Sequence, residues 1–220
     1  MKYFCSLGTL CFTSRMMQRI HVKKVSYPFD WIWTDDTIIV DMIEDDFAKL
    51  LDKSYYVEPV HKFSERMCGH TYYHEDLFFH KDPRNEEDHL YYHRCVDRFR
   101  EMVKSPEEKV FIMMFSPFVT RYPIDLHEMI ERGDDKSLII ERMKQKGRNV
   151  MNVLEKITNN HKLCVVMNFG DNEKQTFKME HEGRIDFLEL NTLSHSNGVT
   201  FIDNADNLYF SGLMCEHYRR

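Results

Sequence analysis

Two uninterrupted apolar runs, KVFIMMF at residues 109–115 and KLCVVMNFG at 162–170, constrain the fold more than any other feature. A strand with one wet face alternates apolar and polar residues. Neither run does, so each reads as a strand covered on both faces. Between them, residues 124–133 and 136–158 carry helical spacing, the first ending at Gly133 and the second weakened at Gly147. Strands alternating with helices predict an α/β or α+β fold. The expected architecture is a central mixed, partly parallel sheet flanked by helices, with a more antiparallel C-terminal part.

The rest of the chain fits this frame. Residues 2–7 read as a strand, Gly8-Thr9 as a turn, and 11–21 as a helix with Phe12, Met16 and Ile20 on one stripe. The aromatic segment VSYPFDWIW (25–33) is broken by Pro28 and cannot be the middle of a sheet. A long helix is expected over 34–52, capped by Thr34 or Asp35. Strands are expected at 55–63 and 71–80, then a helix over 85–105 burying Tyr92, Val96, Phe99 and Val103. Pro117 stops the strand at 109–115. FKMEHEG and RIDFLELN read as strands, and VTFID with NLYFSGL as a final hairpin across Asn204-Ala205-Asp206-Asn207. No repeat or low-complexity linker appears, so residues 1–220 are expected to form a single domain.

Global charge narrows the partners. A net charge of −6 and an isoelectric point near 6.1 call for neither nucleic acid nor an anionic membrane. No apolar run approaches the ~18–20 residues that span a bilayer. The first apolar stretch is too short and glycine-interrupted for a secretory signal, so a cytoplasmic location is expected. The six cysteines show no CxxC and no regular spacing, and thiols are expected rather than disulfides. The sequence leaves the oligomeric state open.

Chemistry concentrates near the N-terminus. Cys11 falls where a strand passes through Gly8-Thr9 into a helix. At a helix start, unpaired N–H groups and the macrodipole favour a thiolate and can hold an oxyanion. A buried, inert cysteine at a tight junction is the plain alternative. Cys5, inside the strand, belongs to the core. His80 ends the aromatic strand of DLFFHKD with Asp82 two residues on, an arrangement suited to a Cys–His pair. In YPFDW, the charge of Asp30 is costly to bury alone and needs a backbone, cationic or histidine partner. His89 and His93 lie four apart on one helix, but the sequence between them reads as an ordinary exposed face. No metal or other cofactor is expected. Asn168 and Asp171, in the turn after the strand at 162–170, are either site residues or a connection.

The ordered set SLGTLC (6–11), YPFDWI (27–32), DDF (45–47), FFHKD (78–82) and YYHRCVDRF (91–99) resembles a family of unknown function described as papain-like cysteine peptidases. The resemblance spans residues 3–115. It implies a nucleophile at Cys11, a histidine base at His80, and a functional acid at Asp30. In the family pattern an acid follows the histidine directly. Here Lys81 intervenes and Asp82 takes that place. The expected activity is thiol hydrolysis or acyl transfer on a peptide or isopeptide bond, with a peptide or protein substrate. A non-catalytic α/β ligand-binding module and a glycan-related group transferase are the other readings of the same residues. The family includes proteins joined to sugar-transferring domains.

Overall fold

The computed structural model describes residues 2–9, 11–60, 67–116 and 124–219. The central sheet has the order β1-β5-β6-β8-β7, built from β1 (Lys2–Ser6), β5 (Glu108–Phe115), β6 (His161–Phe169), β7 (Thr176–Glu182) and β8 (Ile185–Asn191). β1, β5, β6 and β8 run parallel, and only the edge strand β7 is antiparallel. The two apolar runs are therefore inner strands, with Phe111 beside Leu163 and Met113 beside Val165.

Their side chains divide by parity, as a pleated strand requires. Phe111, Met113, Phe115, Leu163 and Val165 face one core, and Val110, Ile112, Met114, Cys164 and Val166 face the other. The first core is covered by α2 (Asp36–Glu44), α4 (Glu86–Lys104) and α6 (Lys136–Ile157). The second is covered by α1 (Cys11–Arg19) through Phe12 and Met16, and by α7 (Asn204–Tyr218) through Phe210, Leu213 and Met214. Each such large side chain contributes about 1.5–3 kcal/mol when fully buried, so both faces are committed. The fold is α/β.

A three-stranded antiparallel sheet, β2 (Tyr56–Val57), β3 (Cys68–His70) and β4 (His74–Phe78), projects from the connection between β1 and β5. The short helices α3 (Ala48–Leu51) and α5 (Ile124–Glu131) complete the fold. No helix among the described residues is long and apolar enough to cross a membrane. Residues 61–63 of the strand expected at 55–63, and Pro117, lie outside the described residues.

Three expectations are corrected. The helix expected over 34–52 breaks after Glu44, where Asp46 and Phe47 take left-handed backbone (φ +52° and +63°). The break drives the Phe47 ring between Phe29 and Phe99, at 5.6 and 5.3 Å. The final hairpin is instead α7. Asp203 caps it by accepting from the Ala205 N–H, and Phe210, Leu213 and Met214 form one apolar stripe at helical spacing. Gly147 does not weaken α6, which runs unbroken from Lys136 to Ile157. A β-carbon there would stand 2.6 Å from Val165 Cγ2, so glycine lets the helix approach the sheet.

Candidate functional site

The site forms where β1 ends and α1 begins. Gly8 and Thr9 both have left-handed backbone (φ +79° and +71°), reversing the chain so that Cys11 is the first residue of α1. Three clamps hold the turn. The Gly8 N–H donates to Ser6 Oγ (3.2 Å), which is paired with Thr13 Oγ1 (2.5 Å). The Thr9 hydroxyl donates to the Met114 carbonyl of β5. Thr34 accepts from the Thr9 N–H and donates to the Leu7 carbonyl, each at 2.9 Å. A β-carbon on Gly8 would come within 2.3 Å of Thr34 Oγ1, so only glycine fits there.

The segment before Thr34 reaches the second sheet. Ile32 bridges Phe78 of β4 antiparallel, and the Trp33 N–H donates to the Leu77 carbonyl at 3.0 Å. One short stretch, residues 31–34, thus ties the α1 turn to β4. His80 follows two residues after the strand. Its Nε2 lies 3.5 Å from Cys11 Sγ, across a sequence separation of 69. The thiol is 7% exposed, whereas His80 is exposed. The Trp31 ring meets the His80 ring edge to face, centroids 5.6 Å apart at 86°.

The two acids bond to other groups. Asp30 is buried, accepts from the Tyr27 N–H at 2.9 Å and forms an ion pair with Lys23, whose side chain is largely covered. Burial pushes its carboxyl above the ordinary value, against the opposing pull of Lys23 and the Tyr27 amide. Asp82 is gripped by Arg84 through Nε (2.8 Å) and a terminal nitrogen (2.7 Å), and the guanidinium holds it below the ordinary carboxylate range. Its N–H donates to Asp88 on α4, which also pairs with Lys81 at 2.6 Å. Among the described residues, neither Asp30 nor Asp82 hydrogen-bonds to the His80 imidazole.

Other candidates have structural partners. Asn168 accepts from Ser116 (3.1 Å) and donates to Thr192 Oγ1 (2.9 Å), linking the ends of β5, β6 and β8. Asp171 pairs with His195 at 2.6 Å. His89 contacts the Leu51 carbonyl through Nε2 at 2.9 Å, and its ring meets His93 edge to face. Among the described residues, no three or more His, Cys, Asp or Glu side chains could hold a metal ion. All six cysteines are thiols rather than disulfides. Burial pushes Cys5, Cys68, Cys95 and Cys164 upward, Cys68 and Cys164 to about 12, which leaves them poor nucleophiles.

The family described as putative papain-like cysteine peptidase (DUF1796) matches residues 2–207, nearly the whole chain. The chain belongs to that family. Among curated proteins and among solved structures, nothing matches it. The match extends well past residue 115, where the motif resemblance stops, and ends in the first turn of α7. Two contributors to the site carry no motif signal of their own. Lys23, the partner of Asp30, is one of two adjacent lysines in an unpatterned loop. Thr34, which bonds the α1 turn, reads in sequence only as a helix cap.

Proposed function

We propose that this protein is a thiol hydrolase or acyl-transfer enzyme acting on amide or isopeptide bonds of a peptide or protein, with Cys11 as nucleophile and His80 as general base. The observation that carries this reading is the contact between Cys11 Sγ and His80 Nε2 at the first residue of a helix. His80 accepts the thiol proton, and the thiolate is favoured by the positive end of α1 and by the imidazolium it creates. Sulfur then attacks the substrate carbonyl. N–H groups opening the helix hold the oxyanion. The tetrahedral intermediate collapses as the imidazolium gives its proton to the leaving amine, producing a thioester on Cys11. His80 next takes a proton from water, or from an acceptor amine or hydroxyl, which attacks the thioester and releases the thiolate. Asp30 and Asp82 support this site at one remove. Asp30 fixes the loop before Trp31 through Lys23, and Asp82 fixes the chain after His80 through Arg84 and Asp88.

The test is the pH dependence of alkylation at each cysteine of the folded protein, read by mass spectrometry. Cys11 should label fastest of the six well below about pH 8, and His80→Ala should slow it roughly tenfold or more at mildly acidic pH. Labelling at the rate of an ordinary thiol, unaltered by His80→Ala, would refute the reading.

A further inference from the structure

We propose that Trp31 is the positioning residue for the His80 imidazole, holding the plane that a carboxylate holds in a Cys–His–acid triad; this rests on the Cys11–His80 reading above. His80 is exposed, and a solvent-facing imidazole on a strand end samples several rotamers unless a neighbour restricts it. Among the described residues, neither acid of the motifs hydrogen-bonds to His80: Asp30 pairs with Lys23 through Oδ2, and Asp82 with Arg84. The ring meeting His80 from the loop is the Trp31 indole, nearly perpendicular to it.

The backbone around Trp31 is arranged to hold that ring in place. Trp31 has φ +66°, a left-handed conformation that a bulky side chain adopts only when its surroundings impose it. On the N-terminal side the constraint is the buried Lys23–Asp30 pair, with the Asp30 carboxylate also taking the Tyr27 N–H. On the C-terminal side it is the bridge of Ile32 to Phe78 and the hydrogen bond of Trp33 to Leu77. Lys23 Nζ also stands 5.9 Å from the indole centroid, so the indole has a cation and the His80 ring as neighbours. The backbone after His80 is fixed separately, through Lys81 and the Asp82 N–H on Asp88. Backbone anchoring on one side and ring packing on the other leave one orientation in which Nε2 faces Sγ. The buried acid of PFDW thereby acts on the histidine through the residue that follows it.

The experiment compares wild type with Trp31→Phe, Trp31→Leu and His80→Ala. The first readout is the pH profile of Cys11 alkylation by iodoacetamide. The second is the NMR position of the His80 ring proton between the two nitrogens, assigned by its loss in His80→Ala. Wild type should show that proton displaced by the indole ring current. Trp31→Phe should keep the wild-type alkylation profile. Trp31→Leu should move the profile toward that of His80→Ala, slow labelling roughly tenfold at mildly acidic pH, and abolish the ring-current displacement. A folded Trp31→Leu with the wild-type profile would overturn the proposal. If that variant does not fold, the proton position in wild type and Trp31→Phe decides, and the absence of an aromatic displacement in both overturns it. A wild-type profile in His80→Ala would instead overturn the Cys–His reading itself.

Discussion

At the carboxyl ends of β1 and β5, polar groups are tied to one another by long-range side-chain bonds, and a thiol and an imidazole are left facing each other. At the opposite ends of β5 and β6, polar groups are buried equally deeply but serve only the fold. There Lys109 is fully buried and donates to the carbonyls of Ser105 (2.5 Å) and Asn159 (2.8 Å), closing the chain ends after α4 and α6. His161 is 3% exposed, and neither ring nitrogen has a hydrogen-bond partner. Its ring packs near Phe111 instead. The contrast teaches that a histidine beside charged groups is not in itself a site. His80 differs in being exposed, in touching a thiol at a helix start, and in lying where parallel strands open outward.

The largest expected effect lies at the thiol end. Asp30→Ala leaves the Lys23 ammonium buried without its counter-charge, and breaking such a pair costs about 3–5 kcal/mol. Urea unfolding should show that loss, and replacing Lys23 by Met in the same chain should restore much of it. A loss below about 1 kcal/mol would mean that the pair is dispensable and the loop holds itself.

Gly8→Ala comes next. It forces a β-carbon into left-handed backbone and against Thr34 Oγ1. The expected cost is about 2–4 kcal/mol, with slower Cys11 alkylation in whatever remains folded. Stability lost with unchanged labelling would separate the turn from the reactivity of the thiol.

How much of this is legible in sequence depends on the range of the cause. β5 and β6 are legible because burial on both faces requires an unbroken apolar run. Cys11 opening α1 is legible because strand, glycine turn and helix each leave a local pattern. The turn's bond to Thr34, 25 residues away, leaves none. For Asp30 the need for a partner is legible from the cost of a buried charge, but the identity of Lys23 depends on an irregular loop without periodicity. Asp82 looks available to His80 by spacing alone. Arg84, two residues further on, competes for it with a planar fork that matches a carboxylate. The α7 helix shows the reverse case. Its apolar stripe is present in the sequence, but the turn-forming residues Asn204-Ala205-Asp206-Asn207 mask it, because the same residue types that make hairpin turns also open helices.

At the far end of the sheet, Lys109→Met should cost about 1.5–3 kcal/mol, the value of charge-assisted bonds to two carbonyls left unmet. Burial holds the Lys109 ammonium below its ordinary value, so the cost should depend little on salt. A strong salt dependence would point to surface electrostatics instead and weaken the view of this end as dry and structural.

The smallest effect at neutral pH, and the most discriminating, belongs to His161. Burial holds its imidazole below the ordinary value. Arg184 and Lys109 push it the same way, and Glu155 opposes them. Because the folded value is depressed, the unfolded chain takes up the proton first as pH falls. Stability is therefore complete above the unfolded value near about 6.5 and declines as pH drops from there toward the folded value. His161→Leu removes two buried nitrogens that have no partner, so near pH 7 it should be neutral or stabilising by up to about 1 kcal/mol. It should also flatten the acid slope, leaving the part due to His70 and His93, which are depressed as well. Urea unfolding of both proteins on either side of about pH 6.5 measures this. A variant that loses as much stability as wild type would clear His161 of the acid sensitivity. A flattened slope with Cys11 labelling unchanged would show that His161 sets the acid stability of the sheet independently of the thiol at its opposite end.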